Sequence, residues 1–489
     1  MQPASTLNER ASCKIRSMID LTLLHINDLH GRISQLSRIA TLVRQIHAEV
    51  ESAGGYCLFV DAGDSEDTTL LESSLTKGSA MEAILRAAGC DYVALGNAIP
   101  IRYGQQAVTG LARSYGRPLL CANMKEADGR LVAGLQPFAI ETSGSLRIGL
   151  IGLTAPMESY TIFKLRMEQP EAVLPGLISE AKEQSAKTIV LLSHLGSAVD
   201  QAVAEKVEGI DVIIGAHDHR ELDPPLCVKN TIIAQTGDFG RFLGRLDLKI
   251  DPDTGKVLRH EGRLIPITED IPLDLQTQQA FEAEQKRAHA IMDREIGILS
   301  DPIELFDDRE CSAGNLLADA LLERAKEAEL ALVLTGHWET GLEAGALTQG
   351  ALFTAIRSAA NPGTTGLTGD QILEFLHAAL KPENAARQPR ELRGRPVGAP
   401  HVAGARVRYS DDLEQIDVEI NGKPLEKGRR YIVASTDVEL SDYVNYLVIP
   451  DREIEFEVPT IMPEVLEDHI TKHSPIQSPE AGRVLSRAK

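Results

Sequence analysis

The stretch "IDLTLLHINDLHG" (residues 19–31) passes from an apolar, strand-forming segment directly into a polar cluster that carries Asp28 and His30. A short apolar run that stops at small and polar residues reads as a buried strand ending in functional side chains. The same form recurs in "YCLFVDAGD", "DYVALGN", "LRIGLIGLTAP", "KTIVLLSHLG" and "IDVIIGAHDH". Helix-patterned stretches such as "SRIATLVRQIHAEV" and "AMEAILRAAG" lie between several of them, which predicts a layered α/β domain. In an open α/β sheet, strand ends are where side chains from separate strands converge.

Five of these ends hold metal-competent residues: Asp28 and His30 in "NDLHG", Asp64 in "DAGD", Asn97 in "GNA", His194 in "SHLG", and His217 with His219 in "GAHDH". Carboxylates and imidazoles without thiolates suit divalent Mn, Fe, Co or Zn. Seven ligands are too many for one catalytic ion that keeps open positions. Two ions sharing a bridging carboxylate fit better, and such a pair, about 3.5–4 Å apart, can clamp the attacking and leaving oxygens of a phosphoryl group.

With 489 residues the chain is long enough for two or three domains. Its 71 acidic and 50 basic residues give a formal charge of −21, which disfavours nucleic acid and anionic membrane surfaces as partners. Six scattered cysteines (Cys13, Cys57, Cys90, Cys121, Cys227, Cys311) form no CxxC pair and read as reduced thiols. The N-terminal stretch has no apolar secretory core, and no segment approaches the roughly 20 apolar residues needed to span a bilayer. A cytoplasmic location is the expectation.

Further along, "TIIAQTGDFGRFLGRLDLKIDPDTGKV" reads as a hairpin-like β segment, followed by the connecting-helix pattern "DLQTQQAFEAEQKRAHAIMDREIG". From about residue 300 a second α/β pattern begins, with Ser312 as the predicted cap of "SAGNLLADALLERAKEA". Residues 384–404, dense in Arg, Pro and Gly, predict an exposed loop.

The ordered series DxH, GD, GN, SHLG and GxHxH over residues 28–219 resembles the calcineurin-like metallophosphoesterases, in particular the two-domain bacterial 5′-nucleotidase family. The resemblance continues through "AQTGDFGRFLGRLDLKID", "GNLLADALL" and "TTGLTGDQILEFL". It implies a four-layer α/β/β/α metallophosphoesterase domain over 20–270, a linker helix over 271–298 and a C-terminal α/β substrate domain of the 5′-nucleotidase type over 299–489. It further implies that Asp28, His30 and His219 hold one divalent ion, that Asn97, His194 and His217 hold the other, and that Asp64 bridges them. The implied activity is hydrolysis of nucleotides or related small phosphoesters, by attack of a metal-bridged hydroxide.

The family reads GNHE where this chain reads Gly96-Asn97-Ala98-Ile99. Ala98 offers no proton and stabilises no charge, and loss of one such donor typically costs about 10²–10³ in rate. Arg102 in the same loop can supply positive charge, the substrate can have a leaving group that needs no acid, or the protein can bind metal and ligand with little or no turnover. His337 is a candidate replacement acid. In the second domain the family's Asn-Gly-Gly-x-Arg segment is Thr335-Gly336-His337-Trp338-Glu339, and only "ELSDYVNYL" stands for the base-stacking element. Trp338, Tyr443 and Tyr446 are therefore the candidate substrate-binding aromatics.

Overall fold

The computed structural model describes residues 18–67, 71–388, 395–441, 444–450 and 453–487. The chain divides into two compact units, one up to Glu284 and one from Gln285, and the helix Leu275–Met292 runs across that division.

The first unit is built on two sheets. In one, the strands run in the order Val257–Pro266, Phe242–Ile250, Ile19–Ile26, Tyr56–Asp61, Tyr92–Val93, with the last three parallel and the first two antiparallel additions. In the other, the order is Leu226–Val228, Thr231–Ala234, Val212–Gly215, Thr188–His194, Leu146–Thr154, Phe138–Ser143, with four parallel strands at its centre.

Side-chain alternation explains why the sheets stack. Leu21, Leu23, Leu58 and Val60 of the first sheet meet Ile148, Leu150, Val190, Leu192 and Ile214 of the second in one buried layer. The intervening residues point the other way. Leu24, Ile26 and Phe59 pack against Leu36, Ile39, Val43 and Ile84 of the helices Ile33–Ser52 and Ser79–Ala87. Ile151, Ile189, Leu191 and Ile213 pack against Leu174, Ile178 and Val203 of the helices Pro170–Glu183 and Ser197–Lys206. A strand apolar on both faces needs cover on both, and the result is the four-layer α/β/β/α arrangement.

Three expectations need correcting. The run that starts "TIIAQTGDFG" is not a single hairpin. Thr231–Ala234 belongs to the second sheet, the chain crosses over at Gly237 and Gly240 (φ 82° and 64°), and the hairpin is Phe242–Ile250 with Val257–Pro266. The helix of the second unit starts at Ser312 with Cys311 at the cap position, and the Ser312 hydroxyl instead accepts from Glu304 N–H at 2.7 Å. Within 384–404 the loop ends early, because Pro400–Ala403 is a buried strand paired with Leu330–Leu334.

The second unit has a five-stranded sheet in the order Pro400–Ala403, Leu330–Leu334, Arg430–Thr436, Pro362–Thr368, Ile454–Phe456, and a four-stranded one around Ala405–Tyr409. The helices Ser312–Arg324, Gly369–Ala379 and Met462–His473 contribute Leu317, Leu321, Phe375, Leu376, Leu466 and Ile470 to its core. Among the described residues Cys57, Cys90, Cys121 and Cys311 are buried free thiols and Cys227 is an exposed one, while Cys13 lies outside them. No described helix is long and apolar enough to cross a membrane.

Candidate active site

All seven candidate ligands sit at or just after C-terminal ends of parallel strands of the first unit: Asp28 and His30 after Ile19–Ile26, Asp64 after Tyr56–Asp61, Asn97 after Tyr92–Val93, His194 closing Thr188–His194, and His217 and His219 after Val212–Gly215. Five of them hold left-handed backbone, Asp28 (φ 49°), His30 (45°), Asp64 (55°), His217 (81°) and His219 (56°). Each such non-glycine residue costs about 1 kcal/mol or more, a strain that surrounding structure must impose.

Asp28 is fully buried. Its Oδ2 accepts from Asn27 Nδ2 (2.8 Å) and from His217 N–H (2.9 Å). Its Oδ1 has no hydrogen-bond partner among the described residues and lies 3.4 Å from His219 Nε2 and 3.7 Å from His30 Nε2. Those two ring nitrogens face each other at 3.2 Å. An orphaned buried carboxylate oxygen converging with two imidazole nitrogens is a donor set that fits a cation. Asp238 orients the outer ring, with Oδ2 3.2 Å from His219 Nδ1. The Asp28 carboxylate, 3.4 Å away, is the main cause that raises the His219 pKa.

The second half is built around His194, also fully buried. Its Nδ1 lies 3.1 Å from Ala62 O, so that nitrogen carries the proton and Nε2 is directed at Asn97 Oδ1 (3.0 Å) and Asp64 Oδ2 (3.2 Å). Burial pushes the His194 pKa down, but Asp64 overrides it and holds the ring up at about 9. The reciprocal effect of His194, with Ala98 N–H donating to Asp64 Oδ1 at 2.8 Å, holds the Asp64 carboxyl at about 2 against its burial. A ring nitrogen that faces two acceptor oxygens, and is held charged by one of them, marks a position where a metal cation can take the place of its proton. The His217 ring lies edge-on to His194 at 5.2 Å, and burial followed by the His194 charge lowers its pKa.

Several supporting residues carry no motif of their own. Asn27 Oδ1 accepts from Thr236 N–H and Oγ1, and Asn27 Nδ2 donates to Gly237 O, which ties the first strand end to the crossover loop. Asp200 accepts from Ser193 Oγ at 2.5 Å beneath His194, and burial lifts its pKa to about 8. Asp61 accepts from Ser65 Oγ and Gly63 N–H, and burial lifts it to about 7. Glu66 and Glu82 form a buried carboxyl pair near Asp64. The polar character of "TGDFG" is the one available signal for Asp238; the others act through contacts that spacing does not reveal. At the rim, Phe239 lies 5.9 Å from His30 and 6.2 Å from His219, with the Arg32 guanidinium 4.7 Å above it.

Arg102 lies half-buried in the first turns of the helix Ala98–Tyr115, its guanidinium 5.8 Å from the Tyr103 ring. The second-unit candidates are placed differently from expectation. His337 is 3% exposed, with Nδ1 2.6 Å from Ser358 Oγ and Nε2 3.0 Å from Glu439 Oε1, so both ring nitrogens serve a buried network rather than a substrate. Trp338 is wholly buried in the core of that unit, and Tyr446 nearly so, edge-on to Phe375, so neither offers a face for stacking. Tyr443 lies outside the described residues.

Residues 21–221 match the calcineurin-like phosphoesterase family, and residues 297–446 match the 5′-nucleotidase C-terminal domain. The uncharacterized metallophosphoesterase YunD of Bacillus subtilis (strain 168) is 28% identical over 458 residues, covering 92% of this chain and 97% of that protein. Bos taurus 5′-nucleotidase is 28% identical over 346 residues, which is 62% of this chain and 60% of that protein. Among solved structures, the 5′-nucleotidase precursor from Thermus thermophilus shares the fold with a TM-score of 0.52 at 22% identity, covering 96% of this chain and 99% of that one. Two matched domains in this order, on a four-layer fold with acid, amide and imidazole groups at its strand ends, make this chain a calcineurin-like metallophosphoesterase with a 5′-nucleotidase C-terminal domain, a member of a family of phosphoester hydrolases that use divalent metals.

Proposed function

We propose that the protein is a divalent-metal-dependent phosphoric ester hydrolase acting on nucleotides or related small phosphoesters. The observation that carries this is the pair of adjoining donor sets, Asp28-His30-His219 and Asp28-Asp64-His194, that share the buried Asp28 carboxylate. Asp28, His30 and His219 would hold one ion, Asn97, His194 and His217 the other, and Asp64 would serve both. Ions held there supply positive charge to a phosphoryl group and lower the pKa of water at the site.

The chain's own residues define the rest. Ala62 O and Asp238 fix the tautomers of His194 and His219, keeping their Nε2 atoms free to coordinate. The helix Ala98–Tyr115 starts beside Asp64, and its N-terminal dipole favours an anionic substrate there. Ala98 itself gives no proton, so the leaving oxygen departs largely unaided, which favours esters and anhydrides of acidic leaving groups. Arg102 in the opening turns of that helix is the candidate cation for the phosphate. The absence of an acid at 98 supports a second reading, a ligand-binding homologue with weak or no turnover.

The test is manganese-supplemented hydrolysis of nucleotides, cyclic nucleotides, dinucleotide pyrophosphates and nitrophenyl mono- and diesters, with Asp64→Asn protein as the blank. Turnover that falls at least about 10²-fold in the variant is expected. Equal rates in both proteins, or none with bound metal and intact fold, would transfer the case to the ligand-binding reading.

A further inference from the structure

The helix Met462–His473 ends in "HITKH" (residues 469–473), which sets His469 and His473 one turn apart on a single face. Their rings lie 4.7 Å apart, centroid to centroid. Glu323, near the end of the helix Ser312–Arg324 that packs alongside, faces both. Its Oε2 lies 2.5 Å from His469 Nδ1, and both its oxygens lie 2.9 Å from His473 Nε2. Lys472 Nζ pairs with Oε1. The whole cluster lies within the C-terminal unit.

We infer that Glu323, His469 and His473 form a second divalent-metal site, selective for zinc-like borderline ions, that staples these two helices together. Two imidazoles and one carboxylate are a donor set of that preference, and one donor atom from each lies within 4.8 Å of the other two. Around an ion with bonds of about 2.0–2.2 Å, donors stand roughly 3.3–3.5 Å apart, so the present spacing has to open by less than about 1 Å. Side chains exposed by 14% (His469), 27% (Glu323) and 45% (His473) have room for that adjustment and leave solvent a path to the site.

Protonation is no obstacle. A neutral imidazole that shifts its proton to the other ring nitrogen turns a lone pair toward the carboxylate, so binding requires a change of tautomer only. Lys472 is 65% exposed on a flexible stem, and an exposed ion pair of that kind is weak enough to yield to a divalent ion. The supporting frame is fixed at several points. Ile470 is in the core, Arg324 pairs with Asp468 at 2.7 Å, and Ser474 Oγ accepts from Ile298 N–H at 2.8 Å just past the helix end.

The experiment uses the full chain, stripped of metal and dialysed against zinc, with bound zinc counted per chain and thermal unfolding followed in parallel. His469→Gln/His473→Gln protein, with far-UV circular dichroism matching the unsubstituted chain, should hold one zinc fewer and lose the zinc-dependent rise in melting temperature of the C-terminal unit. Lys472→Gln should tighten that same binding step several-fold by removing a competing cation. An unchanged stoichiometry in the double variant, or an unchanged or weakened affinity in Lys472→Gln protein, would overturn the assignment and leave a hydrogen-bonded ion-pair cluster only. Neither readout depends on hydrolytic activity, and both keep their meaning whatever the Asp64→Asn assay shows.

Discussion

Gly96 has no side chain because none fits. A Cβ at that position would stand 2.0 Å from Asp64 Oδ1 and 2.3 Å from the Asp64 backbone nitrogen. The glycine lets two strand ends approach until Ala98 N–H reaches the carboxylate. Gly96→Ala is therefore expected to push Asp64 aside and, since displacements near 1 Å at a reacting centre cost about 10²-fold, to cut hydrolysis by at least that factor while circular dichroism stays the same. Unaltered turnover would contradict the place given to Asp64. At this scale legibility follows chemistry. The His, Asp and Asn side chains at strand ends stand out in the sequence because few structural roles collect such groups there. Asn27, Asp61 and Asp200 do not, because what marks them is a contact with Thr236, Ser65 or Ser193 that only the folded chain makes.

Strands are the most readable elements, since a run apolar at every position needs cover on both faces and so predicts a stacked, layered domain. The helix Ala98–Tyr115 is opaque by comparison. Pro100 is tolerated there because it sits in the first turn, and Gly104 interrupts the helix with φ 65° and ψ −166°. The break lets the Phe163 ring fill the space a side chain would take, 2.4 Å from the Cβ that alanine would add. Gly104→Ala should therefore lower stability by about 1–3 kcal/mol, through backbone strain and overpacking together, read as a reduced urea midpoint with an unchanged slope. A midpoint equal to that of the unsubstituted chain would show that the kink is not required. The early end of the loop before Pro400 is hidden for a related reason, because a strand that starts at a proline looks like a turn until its neighbour is known.

On the scale of the molecule, one buried histidine makes the stability of the C-terminal unit depend on pH. In the C-terminal unit His401 is fully buried, with Nε2 accepting from Cys311 N–H at 2.8 Å and Nδ1 3.0 Å from Ala399 O, a pattern only the neutral ring satisfies. Burial lowers its pKa from 6.5 to about 4. Unfolding frees the ring to take a proton below pH 6.5 while the native state refuses it until about pH 4, so stability falls as pH drops through that window. Between about pH 7 and about pH 5 the loss should be about 2 kcal/mol, and His401→Gln protein should lack it. Urea titrations at the two pH values that differ equally for both proteins would refute this.

The chain holds a single tryptophan, Trp338, sealed in the core of the C-terminal unit. Its emission is therefore a native reporter of one half of the protein. As the unit opens, the indole meets water and its spectrum shifts, whereas melting of the four-layer half passes unseen in that channel. Comparing that signal with ellipticity, which sums both halves, turns an ordinary denaturation curve into a measure of whether the two units come apart together or in sequence.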